Sequence, residues 1–232
     1  MKLFAISDLH LSGARPKPMD IFGENWNGHW QKIRENWSRM EIGPEDLVLI
    51  PGDISWAMQL EAAQIDLDEI GQLPGHKVVT RGNHDYWWSS LTKVRSVLPE
   101  KLYALQNDAM RFGSTVVCGS RGWICPGGMD YKPEDEKIYK REVLRMELSL
   151  KGAKKQEGDL LIVMIHYPPF NEKQERSGFM ELFEQYGVDQ VIYGHLHGRS
   201  CRFAFEKELC GIQYRLVSCD HLQFCPVLLA ER

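Results

Sequence analysis

Residues 47–53, Leu47-Val48-Leu49-Ile50-Pro51-Gly52-Asp53, place four apolar side chains before a turn and a carboxylate. A short apolar run of this kind reads as a strand buried on both faces, with a polar group delivered at its C-terminal end. The same grammar recurs along the chain. Leu3–Ile6 runs into Ser7-Asp8-Leu9-His10, and Val78–Thr80 runs into Arg81-Gly82-Asn83-His84-Asp85. Leu160–Ile165 runs into His166-Tyr167-Pro168-Pro169, and Gln190–Tyr193 into Gly194-His195-Leu196-His197. A further run, Ser114–Cys118, lacks such an ending. Five strand ends thus present His, Asp or Asn at one edge, which in open α/β sheets is where ligands bind.

Helical stripes lie between these runs. Trp26, Trp30, Ile33, Trp37 and Met40 recur at helical spacing, as do Leu60, Ala63, Leu67 and Ile70, and Tyr139, Val143, Met146 and Leu150. The alternation predicts an α/β protein. The three Trp are expected to pack on the sheet; a stacking platform for bases is the competing reading. After Gly198 the pattern turns β-rich, with strands expected at Arg202–Phe205, Gln213–Ser218 and Gln223–Leu229, antiparallel and in the same domain. Residues 122–158 read as an insertion, either a lid over the site or an outer helix. Neither a repeat nor a long linker divides the chain, so 1–232 is expected to be one domain.

Composition narrows the function classes. Of 232 residues, 28 are Lys or Arg and 32 are Asp or Glu, for a net charge of −4, which disfavours a nucleic-acid clamp. No apolar run approaches the roughly 20 residues needed to cross a bilayer. The first residues make a poor signal peptide, because Asp8 and His10 interrupt a short apolar stretch. The six cysteines contain no CxxC pair and read as free thiols. The expected location is cytoplasmic.

Five of the eight histidines fall in the strand-end motifs. Burying so many ionisable groups together without a metal would be costly. Asp8, His10, Asp53, Asn83, His166, His195 and His197 offer two carboxylates, one amide oxygen and four imidazoles. Mixed nitrogen and oxygen donors suit Mn, Fe, Zn or Co better than Ca or Mg. Seven donors exceed one tetrahedral ion and suit two ions that share a carboxylate. Asp8-x-His10 and His195-x-His197 are expected to project to one side of an extended strand end. Gly52, Gly82 and Gly194 are expected to supply sharp turns.

These ordered motifs resemble those of the calcineurin-like metallophosphoesterases. The resemblance spans residues 8 to 197 and implies a four-layer α/β/β/α sandwich of mixed sheets, with a dimetal site at strand C-terminal ends. It implies that Asp8, His10 and His197 hold one ion, that Asn83, His166 and His195 hold the other, and that Asp53 bridges. His84 would be the catalytic histidine, oriented by Asp85. Many members carry a second acidic residue three positions after the bridging Asp, where this chain has Trp56.

The implied activity is hydrolysis of a phosphomonoester or phosphodiester, with a hydroxide between two ions as nucleophile and His84 as general acid. Small soluble substrates are favoured and nucleic acid disfavoured. Arg81 and Arg199 are candidate substrate-binding residues, Arg15 and Arg121 weaker ones. A protein phosphatase, a DNA nuclease and a non-catalytic scaffold on the same fold are the alternatives.

Overall fold

A computed structural model describes residues 1–232. Its strands are β1 (Lys2–Ala5), β2 (Leu47–Pro51), β3 (His76–Thr80), β4 (Leu102–Ala104), β5 (Ala109–Phe112), β6 (Thr115–Ser120), β7 (Leu160–Ile165), β8 (Gln190–Tyr193), β9 (Glu208–Leu209), β10 (Ile212–Leu216) and β11 (Val227–Glu231). The helices are α1 (His29–Arg39), α2 (Leu60–Gly71), α3 (Leu91–Arg95), α4 (Asp135–Ala153) and α5 (Gly178–Gln185). One sheet runs β11-β1-β2-β3-β4 and the other β5-β6-β7-β8-β10-β9. Both are mixed. Their inner strands are parallel, while β11 is antiparallel to β1, β5 to β6 and β9 to β10.

Alternation along each strand sorts the apolar residues between two faces. Leu3, Ala5, Leu47, Leu49 and Val78 share a buried cluster with Leu160, Ile162, Met164 and Ile192, so the sheets face each other through these residues. Phe4, Ile6, Val48, Ile50 and Val79 point the other way, onto Ile33 and Trp37 of α1 and Ala63, Leu67 and Ile70 of α2. Leu161, Val163 and Ile165 pack with Met146 and Leu150 of α4 and Phe179 and Phe183 of α5. Apolar burial on both faces explains why these runs carry no alternating polar residues.

Several local expectations are corrected. Trp26 is not on α1; it ends a short 3-10 turn, Glu24–Trp26, and Gly28 in the left-handed region (φ 63°) separates it from the helix. Residues Gly198–Phe203 form a 3-10 turn rather than a strand, because the polar turn after His197 is closed by Ser200. The C-terminal strands are not one antiparallel unit. β10 runs parallel to β8, and residues between β10 and β11 carry the chain to the other sheet. Within the 122–158 insertion, α4 lies against the outer face of its sheet; the loop before it approaches the strand ends. No helix is long and apolar enough to cross a membrane.

Candidate metal centre

β1, β2, β3, β7 and β8 end at one edge, and the residues that follow them converge there. Asp8, His10, Asp53 and His166 are buried, while Asn83, His195 and His197 are half-buried. Asp8, His10 and His197 each offer a ligand atom within 4.8 Å of the others, and so do Asp8, Asp53 and His166. Asp8 is common to both groups, and Asp53 Oδ2 lies 3.7 Å from His10 Nε2 and 3.5 Å from His166 Nε2, within reach of a histidine of each. Asn83 Oδ1 lies 2.7 Å from His166 Nε2 and 2.9 Å from His195 Nδ1. All seven expected ligands therefore meet in one place.

The backbone reaches this arrangement by a different route from the expected extended strand ends. Asp8, His10, Asp53 and His195 all have positive φ, of 59°, 47°, 51° and 71°. For residues with a Cβ this left-handed region is sparsely used and costs free energy. Four such residues in one small volume mark strain held in place by the surrounding fold. The glycines also act differently. Gly52 does supply a turn (φ 94°), whereas Gly82 and Gly194 do not have positive φ. A Cβ on Gly82 would collide with Asp53 Oδ1, and one on Gly194 with Asp8 Oδ2. Their role is close approach.

Hydrogen bonds fix the ligands. Asp8 accepts from Ser7 Oγ, from Ser218 Oγ at 3.0 Å and from the His195 amide at 3.1 Å. Asp53 Oδ1 accepts the His84 amide at 2.8 Å, leaving Oδ2 toward the two histidines. His166 Nδ1 donates to Pro51 O at 3.0 Å, so its Nε2 is a bare acceptor facing Asn83 Oδ1. Two acceptors at 2.7 Å repel unless a cation lies beside them. His10 Nδ1 is buried without a partner, and His197 Nε2 has only the Asp8 carboxylate at 3.2 Å. This set fits divalent ions taking mixed nitrogen and oxygen donors.

Electrostatics follow from the packing. Burial pushes His166 down to about 4 and His195 to about 3, and holds His10 well below the usual imidazole range. Burial works against charge on His197 too, but Asp8 and Asp220 outweigh it and push that imidazole up to about 10. Burial and the neighbouring Asp8 and Asp85 raise the Asp53 carboxyl well above its ordinary value. Burial would also raise Asp8, yet the adjacent histidines, His197 foremost, hold it well below.

His84 is half-buried with no partner at Nδ1. The expected Asp85 contact is not made. Asp85 Oδ1 accepts from the amides of Ile54 (2.8 Å) and Ser55 (3.1 Å) and from Trp87 Nε1 (2.9 Å), and Oδ2 accepts from the Gly82 amide (2.7 Å). The carboxylate therefore ties the β2 turn to the β3 turn and makes no hydrogen bond to His84. What touches His84 is Trp56, with ring centroids 4.5 Å apart. The same indole stacks on His10 at 4.9 Å and 21°. Trp56 thus sets ring positions where an acidic residue would offer charge.

Arg199 is exposed and makes no contact with the ligands; Arg81 is half-buried at the mouth of a separate cavity. Two contributors escaped the sequence reading. Asp220 Oδ1 accepts from His197 Nδ1 at 2.8 Å, and its Oδ2 accepts the Gly198 amide at 2.8 Å. It follows the run Gln213–Ser218, so the strand-then-ligand grammar could have flagged it. Trp26 lies 6.0 Å from His10 and 5.6 Å from His197, centroid to centroid. It is buried as expected, but against the site. The turn at Gly28, which stops the helix short of Trp26, hides that from helical periodicity.

Comparison with known proteins agrees with the arrangement. The family model of calcineurin-like phosphoesterases matches residues 1–199. Among solved structures, the protein of unknown function AQ665 from Aquifex aeolicus has a TM-score of 0.50 at 16% identity, covering 98% of this chain and 95% of that one. The protein TT1561 of Thermus thermophilus has a TM-score of 0.50 at 11% identity, covering 83% and 80% respectively. At these identities the likeness is one of fold. No curated protein matches the sequence.

Proposed function

Because the chain belongs to the calcineurin-like phosphoesterase family, we propose that it hydrolyses a phosphoester bond in a small soluble substrate, using two metal ions. The observation that carries this reading is Asp53 Oδ2, placed 3.7 Å from His10 and 3.5 Å from His166. In this reading Asp8, His10 and His197 hold one ion, Asn83, His166 and His195 hold the other, and Asp53 serves both. The donor chemistry favours Mn, Fe, Zn or Co. When bound, the ions supply a water nucleophile at neutral pH and neutralise phosphoryl oxygens.

The chain's own residues do the rest. Pro51 O and Asp220 fix the His166 and His197 tautomers so that the opposite nitrogens face inward. His84, whose ring is packed against Trp56, would give a proton to the leaving oxygen. Burial lowers its affinity for that proton, and an incoming phosphoryl anion restores it. We take residues 1–232 as one domain, with the loop ahead of α4 shaping specificity. Six free cysteines suit a reducing cytoplasm.

The test is a panel of mono- and bis-aryl phosphates with Mn, Fe, Zn or Co added. Metal-dependent turnover of either class supports the reading. Turnover of neither, with metal bound, overturns it.

A further inference from the structure

A cavity of about 240 Å3, lined by Arg81, Gln106, Arg121, Arg141, Glu142 and Arg145, takes Arg81 from the end of β3 and Arg121 from the end of β6. That volume is several times the roughly 30 Å3 share of a liquid water. Four guanidinium groups surround it and one carboxylate answers them. Glu142, buried, pairs with Arg145 at 2.6 Å and lies 3.8 Å from Arg121 and 3.9 Å from Arg141. Arg81 has no carboxylate partner, and its Nε is buried with nothing to donate to. Gln106 Oε1 accepts from Trp88 Nε1 at 2.7 Å, which leaves its NH2 group uncommitted. The lining thus carries a formal surplus of three positive charges plus free N–H donors. One glutamate offsets one arginine, so the lining keeps a positive potential that an entering anion would offset.

The cavity is tied to the metal centre through the backbone. Arg81 is two residues before Asn83. The Arg121 carbonyl accepts the amide of His166 at 3.1 Å and that of Tyr167 at 3.0 Å. β6, which delivers Arg121, is the neighbour of β7, which delivers His166. Arg121 and His166 therefore leave neighbouring strands, whose backbones lie about 4.8 Å apart. Planar guanidinium forks match phosphate oxygens in pairs.

We propose that this cavity receives a second phosphate of the substrate whose phosphoester is held at the metal centre. The chain would then act on small molecules carrying at least two phosphates. This rests on the phosphoesterase reading above and narrows its substrate class.

Hydrolysis of bis(4-nitrophenyl) phosphate is measured with the metal-loaded chain, with orthophosphate and tripolyphosphate as inhibitors. Orthophosphate carries one phosphate group and tripolyphosphate three, so the two inhibitors differ in whether a second group is offered to the cavity. Arg141, exposed on α4, and Arg145 are changed singly in Arg141→Gln and Arg145→Gln, so that a folding defect in one leaves the other informative. Tripolyphosphate should inhibit competitively, and each variant should weaken that inhibition about tenfold or more relative to orthophosphate. Equal weakening for both anions, or none for either, overturns the second-phosphate site. Non-competitive inhibition by orthophosphate that vanishes in Arg141→Gln assigns the cavity to a free phosphate effector and overturns the substrate assignment. If no phosphoester turns over, calorimetric titration of tripolyphosphate into the same proteins still decides. Tighter binding by wild type than by both variants upholds the cavity while the hydrolytic reading fails; equal binding overturns the cavity as well.

Discussion

His197 donates from Nδ1 to Asp220 Oδ1 at 2.8 Å, and this contact turns Nε2 toward Asp8. The same carboxylate accepts the Gly198 amide, so ring and backbone are held by one residue. Removing such an orienting group from a metal-binding histidine typically costs about 10–100-fold in metal affinity. Asp220→Ala should therefore weaken one metal equivalent by about that factor, with the fold retained. Metal titration followed by elemental analysis checks it. Unchanged stoichiometry and affinity would remove Asp220 from the site.

The strand-then-ligand pattern made most of the centre legible, because buried parallel strands expose their polar load only at their ends. Asp8, Asp53 and His166 needed nothing more than that. What the pattern did not carry was local backbone hand. Asp8 and His10 share a side through two left-handed residues, not through an extended period of two. Nor did adjacency reveal partnership: Asp85 beside His84 suggests a pair, yet three amides and an indole take its oxygens. Trp26 escaped for a related reason, since Gly28 breaks the helix that its spacing implied.

Loading the site with metal should release protons. Without metal, His197 sits at about 10 and carries a proton at neutral pH. A ligating imidazole must be neutral. Metal affinity should therefore rise with pH from neutrality toward 10, with at least one proton released per chain. Asp53, whose carboxyl is also raised, acts in the same direction. Calorimetry in buffers of different ionisation enthalpy measures the release; a value of zero contradicts this protonation pattern. The metal-free chain should show the matching stability trend. A histidine raised in the folded state stabilises fully below its unfolded value of 6.5, and the benefit is lost as pH rises through about 10. Asp220→Asn should flatten that loss.

The tryptophans of the Trp26/Trp30/Trp37 stripe should separate by function. Trp37 is fully buried away from the site, with Nε1 donating to Pro74 O at 3.1 Å. Trp37→Ala should cost about 3–5 kcal/mol of stability and leave metal affinity unchanged. Trp26 is as deeply buried but lies against His10 and His197. Trp26→Ala should lower stability and metal affinity together. Denaturation curves and metal titration on both variants decide it, and a Trp26→Ala chain with intact affinity would return Trp26 to a packing role alone.

His84 should act on the leaving group and not on metal retention. Its backbone amide donates to Asp53 Oδ1, so its ring leaves the turn in a different direction from Asn83, whose Oδ1 faces His166 and His195. The ring is steadied by Trp56 at 4.5 Å and has no hydrogen-bond partner at Nδ1. General acid catalysis contributes about 10²–10⁴-fold. His84→Ala should reduce kcat by about that factor, with metal content close to wild type. The loss should be greatest for alkyl esters, whose leaving oxygens need the proton, and smallest for nitrophenyl esters, which depart as anions. Trp56→Ala should give the same leaving-group pattern at smaller amplitude, because it frees the ring without removing it, and should also weaken metal affinity, because the same indole stacks on His10. Asp85→Asn should not: its oxygens hold the two turns, so its loss should appear as lowered stability and metal content on every substrate alike. A leaving-group dependence in Asp85→Asn and none in Trp56→Ala would reverse the assignment and make Asp85 the residue that positions His84.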